Sequence, residues 1–177
     1  MTGTELPSDG IAIVDTSVLF AMGGPSNDKY QAFEAYVTRR NVAVRIPGHV
    51  AEELGESPDA YQYQRDRLRS AQDAGWLERC EVDFADPAVS DAIDRTRERI
   101  YSLSADDITE DRVETTDAVL AGLAYQYATE RSKHVAILVS DMLAERAIKD
   151  VLGAMGVDDQ TTVVEGRSLL NDLLDTL

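Results

Sequence analysis

Acids stand at four places where folding could gather them. Asp15 ends the apolar run Ile11-Ala12-Ile13-Val14, and Asp141 ends the run VAILVSD over 135–141. Glu52 and Glu53 follow VAVRI (42–46), the turn Pro47-Gly48 and one more helical turn. Asp117 opens a small-residue stretch, one helical turn after Glu114. With 33 acids in the chain, an ordinary carboxylate is solvated surface; an acid that terminates an apolar run is the exception. Converging carboxylates repel and raise one another's pKa unless a cation joins them. The cation that suits an all-oxygen set is Mg²⁺ or Mn²⁺, which keeps waters and completes its shell with phosphate oxygens. That chemistry is phosphodiester hydrolysis, in which the ion activates water and stabilises the leaving oxygen.

Short β-branched segments alternating with helical patterns must position these acids. IAIVD (11–15), VAVRI (42–46) and VAILVSD (135–141) read as buried strands, and TTVV (161–164) as a weaker one. LERCEV, after Gly75-Trp76, reads as an edge strand or a connection. Helical patterns cover 28–40, a short turn at 48–54, then 59–74, 87–101, 111–131, 142–154 and 167–176. Ser57-Pro58-Asp59 and Asp86-Pro87 are helix-start punctuation. Strand–helix alternation predicts an α/β fold with a mainly parallel sheet of four to five strands, and ligands of such sheets bind beyond the carboxyl ends of the strands. Positions 117, 121, 124 and 128 (Asp, Ala, Ala, Ala) share a helical face that can press on the sheet and hold Asp117 over its edge.

The 177 residues suit a single domain over 1–177, with 1–9 expected to be flexible and the acidic stretch 83–112 to be a helical excursion. No apolar run reaches the roughly 18 residues of a membrane span, and the start MTGTELPSDG lacks a secretory layout, so a cytoplasmic protein without membrane contact is expected. Cys80 is alone and is expected to be a small buried hydrophobe. The formal net charge is -16, with 17 Lys plus Arg, of which only Lys29, Lys133 and Lys149 are lysines. Acid excess with scarce lysine resembles proteins of salt-loving microbes, where a screening length of about 3 Å at 1 M salt tames self-repulsion. Such a charge weakens overall attraction to nucleic acid but does not forbid a local basic patch.

Taken in order, "IVDTSVLF", "IPGHVAEEL", "ETTDAVLAGLA" and "ILVSDMLAERA" resemble the four acidic motifs of the PIN-domain family over about residues 11–165. The resemblance implies a compact three-layer α/β/α nuclease that binds Mg²⁺ or Mn²⁺ and cuts RNA, as a toxin held by an antitoxin or as an RNA-processing enzyme, with a homodimer as the default. It assigns Asp15, Glu53 (with Glu52 as the fallback), Asp117 and Asp141 as metal-binding and catalytic acids. Ser17 and Ser140 become the hydroxyls that orient them. The fourth motif departs from the family pattern: Val139 stands where a hydroxyl is common, and Met142-Leu143-Ala144 where another acid often follows.

Arg65, Arg67 and Arg69, with Tyr61 and Tyr63, read either as an RNA contact or as core aromatics with arginines paired to Asp59, Asp66 and Asp73. Arg39, Arg40 and Arg45 carry the same two readings. His49 lies beside the second motif without the second His or Cys a zinc site needs, and His134 reads as a loop residue. No glycine-rich phosphate loop, Rossmann fingerprint or nucleophile elbow occurs, and Ser17 occupies the place where an aspartyl phosphatase needs a second acid. The alternative to a nuclease is a PIN-like module that keeps the fold and binds RNA or a protein without cutting.

Overall fold

Successive strands separated by helices must each return to the same end of the sheet before pairing, which makes the pairing parallel. The computed structural model describes residues 5–48, 62–104, 115–130 and 133–176. The strands are β1 (Ile11–Val14), β2 (Ala43–Pro47), β3 (Leu77–Cys80), β4 (Val135–Val139) and β5 (Thr161–Glu165). They pair in the order β3-β2-β1-β4-β5, every pair parallel. The helices among the described residues are α1 (Thr16–Ala21), α2 (Asp28–Arg39), α3 (Gln62–Asp73), α4 (Pro87–Leu103), α5 (Thr115–Glu130), α6 (Met142–Ala154) and α7 (Gly166–Asp175).

Side chains alternate across each strand, and both faces of this sheet are covered, so β1 and β4 are apolar at every position. Ala12, Val14, Val44, Ile46, Ala136 and Leu138 face α1, α2, α3 and α7. Ile11, Ile13, Val135, Ile137 and Val139 face α5 and α6. The three-layer α/β/α architecture follows, with five strands. LERC is an edge strand, β3. Cys80 is buried there, its Sγ donating to the Ile46 carbonyl at 3.4 Å, and burial pushes the thiol pKa up to about 11.

Helix α1 is absent from the sequence reading, because TSVLFA is too short to show a helical period. Its cause is the boundary before it: Asp15 is extended (φ -72, ψ 145), and its carbonyl accepts from the amides of Val18 and Leu19, which starts the turn at once. Asp86-Pro87 starts α4 as its residue types require, with the Asp86 side chain accepting from the Ala88 amide at 2.9 Å. The turn expected at 48–54 lies outside the described residues beyond Gly48, as do Ser57-Pro58-Asp59 and the first residues of the helix expected from 59.

Of the stretch 1–9, residues 5–9 are described. Leu6 is fully buried, its amide donates to the Tyr36 hydroxyl at 3.0 Å, and its carbonyl accepts from Arg40 Nε and Nη2 at 3.0 and 2.7 Å. Within 83–112, α4 packs on α5 and α6 through Val89, Ala92, Ile93 and Ile100 and turns Asp91, Asp94, Arg95 and Glu98 outward. The approach is close at Gly122, where an added Cβ would lie 2.6 Å from Ile93 Cγ1 and 2.9 Å from its Cδ1.

Two outcomes follow from this packing and charge. Gly122→Ala is expected to lower stability by about 1–3 kcal/mol in urea denaturation, and Ile93→Ala in the same chain to recover part of that loss; simple additivity of the two would show that no clash exists. Ion pairs such as Arg45–Glu78, Arg95–Asp91, Arg99–Asp150 and Lys149–Glu145 join some acids to bases, but 33 acids against 17 Lys plus Arg leave a large excess of negative charge. The melting temperature should therefore rise steeply with added KCl as self-repulsion is screened, and a flat dependence would show that the acids do not strain the fold.

Candidate active site

The parallel register β1–β4, Ile11 on Val135 through Val14 on Leu138, brings two strand ends to one edge. The Asp15 amide donates to the Leu138 carbonyl at 3.0 Å, so Asp15 lies just past the last paired residues and Asp141 just past β4. Asp15 precedes α1 at the N-cap position, where an aspartate ordinarily accepts from the first helical amides. It makes no such bond. Its Oδ2 instead accepts from Ser17 Oγ at 2.6 Å, and Oδ1 has only a long contact from Thr16 Oγ1 at 3.4 Å. The residue is 9% exposed. A nearly buried carboxylate without a cation or a helix amide is costly, and hydroxyl donors answer only part of its acceptor capacity. Those hard oxygens suit a divalent ion.

Ser17 Oγ also lies 2.5 Å from Ser140 Oγ. Each hydroxyl has one proton. Ser17 gives its proton to Asp15, so Ser140 must donate to Ser17, and a chain of donors runs from the end of β4 to the carboxylate at the end of β1. The next residue, Asp141, caps α6: its Oδ1 accepts from the Leu143 amide at 2.8 Å and the Ala144 amide at 3.4 Å. Its side chain is exposed, and these bonds leave Oδ2 open. Asp117 lies in the first turn of α5, partly buried. Below it Ala121, Ala124 and Ala128 are buried, as the shared face requires. Glu52 and Glu53 lie outside the described residues.

Asp15, Ser17 and Ser140 are thus in one hydrogen-bonded group, with Asp141 next in sequence. Among the described residues, the carboxylates with oxygens all within 4.8 Å of one another are Asp83, Asp86 and Glu130, not Asp15, Asp117 and Asp141. The former trio is unanticipated in the sequence, where only Asp86-Pro87 drew notice, as a helix start. Asp86 Oδ1 caps α4 and Asp83 Oδ1 accepts from the Ala85 amide, so both acids already have local roles. Glu130 ends α5, the end remote from Asp117.

Several of the other candidates take structural partners. Arg67 Nη1 donates to the Phe20 carbonyl at 3.0 Å, joining α3 to α1. Arg40 holds Leu6 and stacks on Tyr36 at 5.4 Å, and Arg45 pairs with Glu78 at 3.4 Å. His134 Nε2 meets Thr162 Oγ1 at 2.7 Å. His49, Asp59 and Tyr61 lie outside the described residues. A cavity of about 420 Å³ lined by Gly10, Arg45, Gly75, Trp76, Glu78 and Lys133 opens at the amino ends of the strands, and its one carboxylate is the paired Glu78.

The donor chain has an order that stability measurements can read. In chelator, Ser17→Ala should cost about 1–3 kcal/mol, because a nearly buried carboxylate loses its short bond, and Ser140→Ala less, about 0.5–1.5 kcal/mol. A larger loss at Ser140 would reverse the assigned direction of donation.

The halobacterial PIN domain family matches the chain over residues 8–177, while no curated protein and no solved structure matches it. That match spans all five strands, the acids Asp15, Glu53, Asp117 and Asp141, and the whole of the three-layer fold, so the chain belongs to the halobacterial PIN domain family.

Proposed function

We propose that the protein is a divalent-metal-dependent ribonuclease that hydrolyses RNA phosphodiester bonds at the carboxyl edge of its sheet. The family supplies a nuclease-like fold. The observation that carries the reading is Asp15: nearly buried, unbonded to the amides of the helix it precedes, and met by hydroxyls instead. Structural stability alone gives no reason to place a carboxylate there, since an aspartate in that position that served the helix would cap it.

Asp15, Asp117 and Asp141, with Glu53 of the second motif, would hold Mg²⁺ or Mn²⁺. Bound there, the ion supplies a nucleophile from water near neutral pH and neutralises charge on the departing oxygen. The residues of the chain do the positioning. Ser140 fixes Ser17, Ser17 fixes the Asp15 carboxylate by its Oδ2, and the α6 amides hold Asp141 by its Oδ1, so each acid presents one oxygen in a set direction. The buried side of the site, from Val14 to Val139, keeps the Asp15 carboxylate against an apolar wall where its charge is poorly solvated and a hard cation is attracted.

A second reading has its own support: among the described residues, Asp15, Asp117 and Asp141 do not form a group with oxygens all within 4.8 Å of one another, as would suit a PIN module that binds RNA or a protein without cutting it. Mutual repulsion between carboxylates accounts for that spacing equally well. A small antitoxin over the acidic crevice, an RNA-processing partner, or a second copy of the chain belongs to the same proposal, as does a cytoplasmic location.

Cleavage of single-stranded RNA at molar KCl with added Mg²⁺ or Mn²⁺ separates the two. Asp15→Asn should lower the rate by about 10²-fold or more while leaving the melting temperature in chelator close to that of the parent. Equal cleavage by parent and variant, or cleavage indifferent to chelator, would favour the binding module.

A further inference from the structure

The surface beside Asp141 is apolar. Met142 and Leu143 are the first two residues of α6, 79% and 37% exposed, and with Phe84 and Tyr101 they are the large hydrophobic side chains left exposed among the described residues. Their placement is not loose: Asp141 Oδ1 accepts from the Leu143 amide at 2.8 Å, so the backbone that carries both side chains is tied to the acid itself. A scattered exposed hydrophobe needs no explanation. Two in succession, directly after a proposed metal-binding carboxylate and tied to it by the Leu143 amide, stand out.

The electrostatics of the chain say which part of an RNA strand would use them. A net charge of -16 opposes a polyanion at low salt. At high salt, screening removes that repulsion, but it also removes the gain from Lys and Arg contacts to phosphate, which rests on counterion release. Arg67, which the sequence leaves open as either an RNA contact or a structural residue, is engaged with the Phe20 carbonyl. Burial of base faces against apolar side chains survives in both regimes and is strengthened by strongly hydrated salts. We propose, on the ribonuclease reading above, that Met142 with Leu143 beside it is the platform on which the base next to the scissile phosphate rests. A methionine suits this role, since its unbranched, polarizable side chain adapts to any base and makes favourable contact with aromatic faces.

Binding can be measured apart from cleavage by fluorescence anisotropy in chelator. The probes are a short labelled single-stranded RNA, the same strand carrying abasic sites, and its duplex, each over a series of KCl concentrations. The parent should bind the intact strand most tightly, with a shallow dependence on salt. Met142→Ser should weaken binding of the intact strand about five- to tenfold and change abasic-strand binding little, and Met142→Leu should restore most of the loss. As an exposed position, 142 tolerates these changes without loss of fold, which circular dichroism checks. Equal affinity of parent and Met142→Ser for the intact strand would overturn the proposal. So would a steep loss of parental affinity with salt, which would mark phosphate contacts, or a change in self-association by light scattering with RNA affinity untouched, which would mark a second copy as the occupant. Metal-dependent cleavage that persists alongside any of these leaves the ribonuclease reading standing. Base-dependent binding through Met142 without cleavage leaves the platform and removes the nuclease.

Discussion

The register of β1 against β4 is the constraint on which the rest of the molecule depends. Four consecutive pairs, Ile11–Val135 to Val14–Leu138, set two buried strands side by side in parallel, and the backbone bond from Asp15 to Leu138 continues the ladder by one step. Because every residue of both strands is apolar and buried, a slip of one position would exchange the two faces of the sheet and expose neither to water, yet it would mismatch small and large side chains on both sides. The register therefore rests on packing: Ala12 and Ala136 toward α2 and α7, Ile13 and Ile137 toward α5 and α6. That packing decides that Ser17 and Ser140 meet, and so decides where the Asp15 carboxylate points.

Charge acts on two scales. The acids on the outer faces of the helices form a coat that salt must screen, and the ion pairs that do occur are exposed and of small individual worth. Asp15 belongs to neither group. It sits against the apolar core, and its environment is set by two hydroxyls and two strand ends. A chain this acidic cannot distinguish a functional carboxylate by its charge, only by its surroundings.

Those surroundings were partly legible in the sequence. IAIVD and VAILVSD showed their strands and the acids beyond them, because β-branched runs bounded by polar residues have few other ways to fold. The pattern Asp117, Ala121, Ala124, Ala128 showed a helix face narrow enough to approach the sheet. Helix α1 was hidden, since six residues carry no period and what starts it is the backbone of Asp15. The direction of the Ser140–Ser17–Asp15 chain was hidden too, because hydroxyls 123 positions apart meet only through the register. Nor could residue types foretell that Arg67 would be held by a carbonyl of α1, a contact that depends on how two helices dock. The clustering of Asp83, Asp86 and Glu130 escaped the sequence for the same reason: it follows from the loop before α4 crossing the far end of α5, which Gln126 fixes by bonds to the Asp83 amide and the Glu81 carbonyl.

One oxygen of Asp141 fastens the helix, and on the proposed reading the other would serve the metal. Asparagine serves the first about as well as aspartate, but it surrenders the negative charge that the second demands. If the protein is the proposed nuclease, a single change at this position would silence it without loosening its architecture. Descent within such a scaffold can shed activity while retaining form, which gives non-cutting relatives an open evolutionary route.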